Sequence, residues 1–221
     1  MDFGPLWLSL QVAVAATVLS TVLGVALGLL VANRKVIGRD LIDAITTAPM
    51  VMPPTVLGYY VLVSLGRNSM VGKWWEAAFG SSIVFTRTGA IVAATVGSIP
   101  LVIKAARAAL EDVDQRLVLA ARTLGAGRTR AFFTVHLPLA ARGLAAGVML
   151  AFARALGDFG VTLMVAGDIP GETQTAALAI YDLIQSHEEA KANGMVAILT
   201  AIAVLALWGV NWLTRRRDRA A

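Results

Sequence analysis

Arg154 and Asp158 stand four residues apart in a stretch, GLAAGVMLAFARALGDFGVTLMVAG, that otherwise carries no charge. Four residues is one helical turn, so the two side chains share a face and can pair. Ionised groups in apolar surroundings are costly and turn toward protein or water. The pair therefore either fixes helix packing or borders a path for ions, together with Thr162 one turn on. A second group lies in TTAPMVMPPT, where Thr46, Thr47 and Thr55 flank Pro53-Pro54. A proline removes a backbone donor and crowds the turn before it. A helix restarting at Pro54 would aim its positive end, with threonine hydroxyls as donors, at an anion; a plain packing kink is the other reading. A third group is the basic interval Glu111 to Arg142, which holds Arg116, Arg122, Arg128, Arg130 and Arg142.

None of these groups makes or breaks bonds. The chain has no cysteine, and its two histidines, His136 and His187, are far apart in sequence. No catalytic residue and no metal site is expected. There is no Gly-x-x-x-x-Gly-Lys-Ser/Thr phosphate loop, so ATP chemistry would have to come from another chain. No ladder of carboxylates and histidines suggests proton relay.

The elements that must position these residues are membrane helices. Of 221 residues 57% are hydrophobic and 15% charged, and the mean hydropathy is +0.73. That is too apolar for a soluble domain of this length. A bilayer core of about 30 Å takes about 20 apolar residues per helix. Five spans fit, at about 6–33, 42–66, 86–107, 143–167 and 192–214, in one domain covering 1–221. No basic region precedes the first apolar stretch, so it reads as a span and not as a cleavable signal. Fourteen Lys and Arg residues fall on one side of this arrangement and four on the other. The excess marks the cytoplasmic side, giving N-terminus out and C-terminus in. The net charge of +5 sits at span ends, which speaks for a lipid bilayer and against nucleic acid.

The interval 111–142 then lies in the cytoplasm. Leu117, Leu119, Ala120, Ala121 and Leu124 form an apolar helical face, and Gly125 and Gly127 break that helix. Arg128 to Val135 can begin a second helix, with Ala131, Phe132 and Val135 on one face, and Pro138 is expected to end it. The pair is either a connector or a surface for a partner's groove. On the other side, 67–87 reads as an interfacial helix with Trp74 and Trp75. After the turn residues Asp-Ile-Pro-Gly-Glu-Thr, the segment 176–184 reads as a helix lying on the mouth of the bundle, with Ala177, Ile180, Tyr181 and Ile184 on one face.

Ala120, Ala121, Gly125, Val135, Leu137 and Pro138 stand at the spacing of the EAA loop of ABC importer permeases, with Leu119 in place of its Glu. The stretches PMVMPPTVLGYYVLVSLGRN, AARTLGAGRTRAFFTVHLPLA, AFARALGDFGVT and IPGETQTAALAIYDLIQ follow one another as in the molybdate ABC transporter permease family, which the chain resembles over most of 40–186. Sulfate permeases are similar and share the ARALG-(Asp/Glu)-(Phe/Tyr)-Gly segment. The resemblance implies an all-α integral membrane protein with the type I ABC importer permease fold in the bacterial inner membrane. It implies a homodimer with two cytoplasmic ATPase subunits, which hold ATP and Mg, and an extracytoplasmic molybdate-binding protein. Ala120, Ala121, Arg122, Gly125, Leu137 and Pro138 would then meet the ATPase. Thr46, Thr47, Pro54, Thr55, Arg154, Asp158 and Thr162 would lie near the pathway. The substrate implied is molybdate, and tungstate with it. The alternatives are sulfate or thiosulfate import, or a channel or secondary transporter that needs no ATPase.

Overall fold

The computed structural model describes residues 2–33 and 36–218, with side chains as far as residue 209. Arg34, Lys35 and Arg219 of the charge count lie outside the described residues, as do the side chains of Arg215, Arg216 and Arg217. Among the described residues all regular structure is helical. In chain order the helices are α1 (Gly4–Ala32), α2 (Arg39–Thr47), α3 (Pro54–Leu65), α4 (Met70–Phe79), α5 (Arg87–Glu111), α6 (Gln115–Thr123), α7 (Arg128–Ala131), α8 (Leu137–Leu156), α9 (Gly160–Ala166), α10 (Ala176–Gln185) and α11 (Glu189–Asp218).

Among the described residues four helices are long and apolar enough to cross a membrane: Gly4–Ala32, Arg87–Glu111, Arg128–Leu156 and Glu189–Gly209. A fifth crossing exists only if α2 and α3 are counted together, and they meet at 111°. The stretch 42–66 is therefore not one straight span. Pro53 precedes a proline and takes an extended backbone, ψ 137°, because the helical region is closed to it. Pro54 then starts α3 at a position where its missing N–H costs nothing.

Two further boundaries differ from the sequence reading. Pro138 does not end the helix that begins at Arg128. Residues Phe132–His136 form a π-turn that joins α7 to α8, and the widened turn absorbs the donor that Pro138 lacks. The span expected over 143–167 is broken at 157–159, where α8 stops and the short α9 begins. The buried face of α10 is also not the one expected. Ala176, Ala179, Ile180 and Leu183 pack against Leu6 and Met195, while Tyr181 and Ile184 stay exposed.

The core is built around α5, against which α1, α8 and α9 pack. Gly24 and Gly28 of α1, and Gly143 and Gly147 of α8, lie where any Cβ would come within 3.0 Å of Val102, Ala106, Ala109 or Ala105 on α5. Backbone-to-side-chain approach of this kind replaces the hydrophobic drive that lipid cannot supply. A buried hydrogen bond between Ser20 Oγ and Ser98 Oγ, 2.7 Å, links α1 to α5 in the same layer. At one end of the bundle lie α6 and α7. At the other lie α4, α10 and the start of α1, where Ser9 Oγ accepts from the Ala176 N–H at 2.7 Å.

Overpacking a tight contact costs about 1–3 kcal/mol. Gly147→Leu should therefore lower the thermal unfolding temperature of the solubilised protein. Gly209→Leu, where nothing lies within 4 Å, should not. Equal unfolding temperatures for the two variants would refute the close α5–α8 approach.

Candidate functional site

The exposed end of the bundle is made by local chemistry. Asp114 caps α6, its carboxylate accepting from the Arg116 N–H at 2.9 Å. The helix stops in a Schellman motif: Ala126 N–H donates to Ala121 O and Gly125 N–H to Arg122 O, each at 3.1 Å. That motif requires a left-handed residue, and Gly125 supplies it with φ +89°. Gly127 has ordinary backbone angles and caps α7. Val118 and Phe132 turn inward onto Leu110, Val113 and Ala140. Leu117, Leu119 and Leu124 turn outward, Leu124 with 88% of its surface exposed. Ala120, Arg122, Arg128, Arg130 and Pro138 are exposed, while Ala121 and Leu137 are half-buried. The loop thus presents an apolar, arginine-flanked ridge that nothing among the described residues covers. Behind it a cleft of about 1060 Å³ runs between α6 and the ends of α1 and α5, lined in part by Leu29, Glu111, Arg122, Arg128 and His136.

The threonines around the proline break do different things. Thr46 Oγ1 donates to Ile42 O at 2.8 Å and Thr47 Oγ1 to Asp43 O at 2.6 Å. Their protons are spent on their own helix, so neither is the free hydroxyl donor expected from sequence. Thr55 is exposed in the first turn of α3. Pro54 lies directly against Gly160, where a Cβ would come within 2.7 Å of the proline Cβ. The break before α3 and the break before α9 are therefore side by side.

Arg154 Nη1 donates to Asp158 Oδ1 at 2.8 Å. Asp158 follows the end of α8 and is almost fully buried. Its second oxygen, Oδ2, accepts from the Thr162 N–H at 2.9 Å and the Thr162 hydroxyl at 2.6 Å. Thr162 is itself buried, at 1% exposure. Its position holds the carboxylate that holds Arg154. Gly97 of α5 backs the pair: a Cβ there would sit 3.4 Å from Arg154 Nη2.

Two polar groups escaped the sequence reading. Asp43 Oδ2 accepts from Lys104 Nζ and Arg107 Nη1, both at 2.7 Å, and ties α2 to α5. The only signal was an acidic residue beside an uncharged run, and its partners lie more than sixty positions away. Arg87, at the start of α5, donates through Nε and Nη2 to Glu172 O and Gly171 O at 3.1 Å. It clasps the turn after α9. Nearby, burial pushes the Asp168 carboxyl above the usual carboxylate range, Asp182 adds to the push, and a hydrogen bond with Gln174 opposes it.

These contacts generate two expected outcomes. Asp158→Ala leaves Arg154 unpaired, and removing one member of a buried pair costs about 3 kcal/mol. It should lower the unfolding temperature more than Asp158→Asn, which keeps an acceptor for Thr162. Asp168 binds its proton more tightly folded than unfolded, so its contribution to stability is present below the unfolded value of about 3.9 and is lost as pH rises through the raised one. Protection from hydrogen exchange in 168–175, relative to the unstructured rate at each pH, should fall over that interval in the wild type and not in Asp168→Asn. Identical pH profiles would exclude Asp168 as the source.

Residues 24–219 match the family model described as binding-protein-dependent transport system inner membrane component. The molybdenum transport system permease protein ModB of Escherichia coli K12 is 44% identical over 96% of this chain and 94% of its own length. The protein of the same name from Haemophilus influenzae is 39% identical over 99% and 96%. The sulfate transport system permease protein CysT of E. coli K12 is 31% identical over 94% and 74%. Among solved structures, the inward-facing MetNI methionine ABC transporter superposes with a TM-score of 0.73 at 19% identity, covering 96% of this chain and 94% of its own. An ABC transporter that imports alginate gives 0.74 at 14%, covering 97% and 79%. The fold is thus that of the type I ABC importer permeases, set in the inner membrane as a multi-pass protein. The chain belongs to the family of binding-protein-dependent transport system inner membrane components.

Proposed function

We propose that this chain is the transmembrane permease subunit of an ATP-driven importer that carries molybdate, and tungstate with it, across the cytoplasmic membrane. Two copies would form the pore, with two cytoplasmic ATPase subunits and an extracytoplasmic molybdate-binding protein. ATP and Mg belong to the ATPase in this reading, and the permease itself catalyses nothing. The observation that carries the reading is the α6–Gly125–α7 ridge, an uncovered apolar surface at one end of a membrane bundle. Residues Ala120, Ala121, Arg122, Gly125, Leu137 and Pro138 would meet the ATPase there. Small residues permit close approach, and the flanking arginines steer assembly. That end would face the cytoplasm, with the N-terminus outside, in keeping with the charge asymmetry.

The pathway would run between the two copies past the paired helix breaks, near Thr46, Thr47, Pro54, Thr55, Arg154, Asp158 and Thr162. Irregular backbone at membrane depth is tolerated where it is covered by protein or lines a wet cavity. Sulfate is the second reading, favoured by the sulfate permease among the relatives. Molybdate is preferred because the permeases named for molybdenum are the more similar.

Proteoliposomes holding the permease, its ATPase and its binding protein should take up molybdate only with ATP, and excess sulfate should compete poorly. Uptake that persists without the ATPase would make the chain a channel, and preferred uptake of sulfate would reassign the substrate. Gly125→Val forces a β-branched residue into a left-handed conformation, at a cost of about 1–3 kcal/mol. The spans should still insert, while ATPase recovery with the permease or ATP-driven uptake should fall. Normal values for both would return the ridge to the status of a connector.

A further inference from the structure

We propose that Arg154 is the cation that the transported oxyanion meets part-way through the membrane, held ready by Asp158 but not satisfied by it; this rests on the reading of the chain as an oxyanion importer. The geometry of the pair is one-sided. Asp158 takes only Nη1 of the guanidinium, because its other oxygen is committed to Thr162. The edge formed by Nε and Nη2 has no partner among the described residues. That edge is the two-donor fork that matches two oxygens of a tetrahedral oxyanion.

The Arg154 side chain is far more exposed than its partner. Its side chain is 34% exposed, against 2% for Asp158. A third of an arginine cannot be left against hydrocarbon without heavy cost, so this face of α8 meets water or protein. Gly157 beside it is exposed. Pro54 packs on Gly160, which puts the first turn of α3 beside the break that follows Arg154. The N–H groups of that turn add positive potential at the same level.

The arrangement suits passage and not storage. Asp158 stays close throughout, so an anion at Arg154 is held against a standing negative charge and leaves readily. Gly97 matters for the same reason, since a side chain there would crowd Nη2.

The test uses the assembled transporter in proteoliposomes, with binding protein in excess and molybdate as substrate. In Arg154→Gln the molybdate moved per ATP hydrolysed should fall about tenfold, the scale of a lost hydrogen bond to a charged group. Arg154→Lys, which keeps the charge but not the fork, should fall between that variant and the wild type. The double variant Arg154→Gln, Asp158→Asn should stay impaired. Recovery in the double variant, or an unchanged ratio in Arg154→Gln, would make the pair purely structural and overturn the proposal. Should Arg154→Gln fail to assemble, Gly157→Cys decides, since the chain has no cysteine of its own. It should react with an anionic aqueous thiol reagent, and tungstate delivered by the binding protein should slow the reaction. No reaction in any nucleotide state would close this face to water and overturn the proposal. Failure of the wild type to take up any oxyanion with ATP would instead remove the importer reading itself.

Discussion

A bilayer offers no partner to a backbone N–H or carbonyl, and each such group left bare in hydrocarbon costs several kcal/mol. This chain nevertheless interrupts its spans twice, at 51–53 and at 157–159. The constraint explains why the interruptions are neighbours. Gly160 lets Pro54 come against the start of α9, so each break covers part of the other. The Asp158 carboxylate then accepts from the Thr162 N–H, one of the donors a restarting helix leaves open. Leu57, Val61, Val84, Ala93, Val161 and Val165 close over the far side in one apolar cluster.

The rest of the bundle makes that arrangement rigid. Helix α5 is the shared wall: α1 and α8 reach it through glycine, and Gly97 of the same helix backs the Arg154–Asp158 pair. Charge does the corresponding work where the helices leave the apolar layer. Lys104 and Arg107 of α5 hold Asp43 of α2, so the segment before the proline break is pinned to the wall that supports the second break. Arg87 at the opposite end of α5 clasps the turn after α9. One helix therefore references both broken segments at both ends.

Much of this was legible in the sequence where the signal is local. Apolar run lengths pointed to the long helices α1, α5 and α11, and the positive φ at Gly125 follows from a glycine directly after a helix-period face. The spacing of Arg154 and Asp158 announced their pairing. What was not legible depends on direction or on distant partners. Two prolines say that a helix breaks but not that it turns by 111°. The break at 157–159 lies in an apolar run with no proline, and it is set by the buried carboxylate that the next helix needs. The spacing of Thr162 does not say that its hydroxyl and N–H both bond to Asp158. In α10 both faces are apolar, so periodicity held no contrast from which to choose the buried one. Pro138 misled because a π-turn upstream leaves nothing for a proline to disrupt.

The π-turn at Phe132–His136 has a mechanical consequence. It makes α7 and α8 a single rod from Arg128 to Leu156, about 40 Å long at 1.5 Å per residue. One tip of that rod belongs to the exposed ridge, and the other carries Arg154. A rotation of about 5° about the first tip displaces the second by roughly 3 Å, the length of one hydrogen bond. The rod lies along α5 through close glycine contacts at Gly143 and Gly147 and through apolar side chains, Phe152 and Leu156 packing in one cluster with Ala90, Ile91 and Ala94. The chain thus joins its exposed α6–α7 ridge to the Arg154–Asp158 pair through one continuous helical rod.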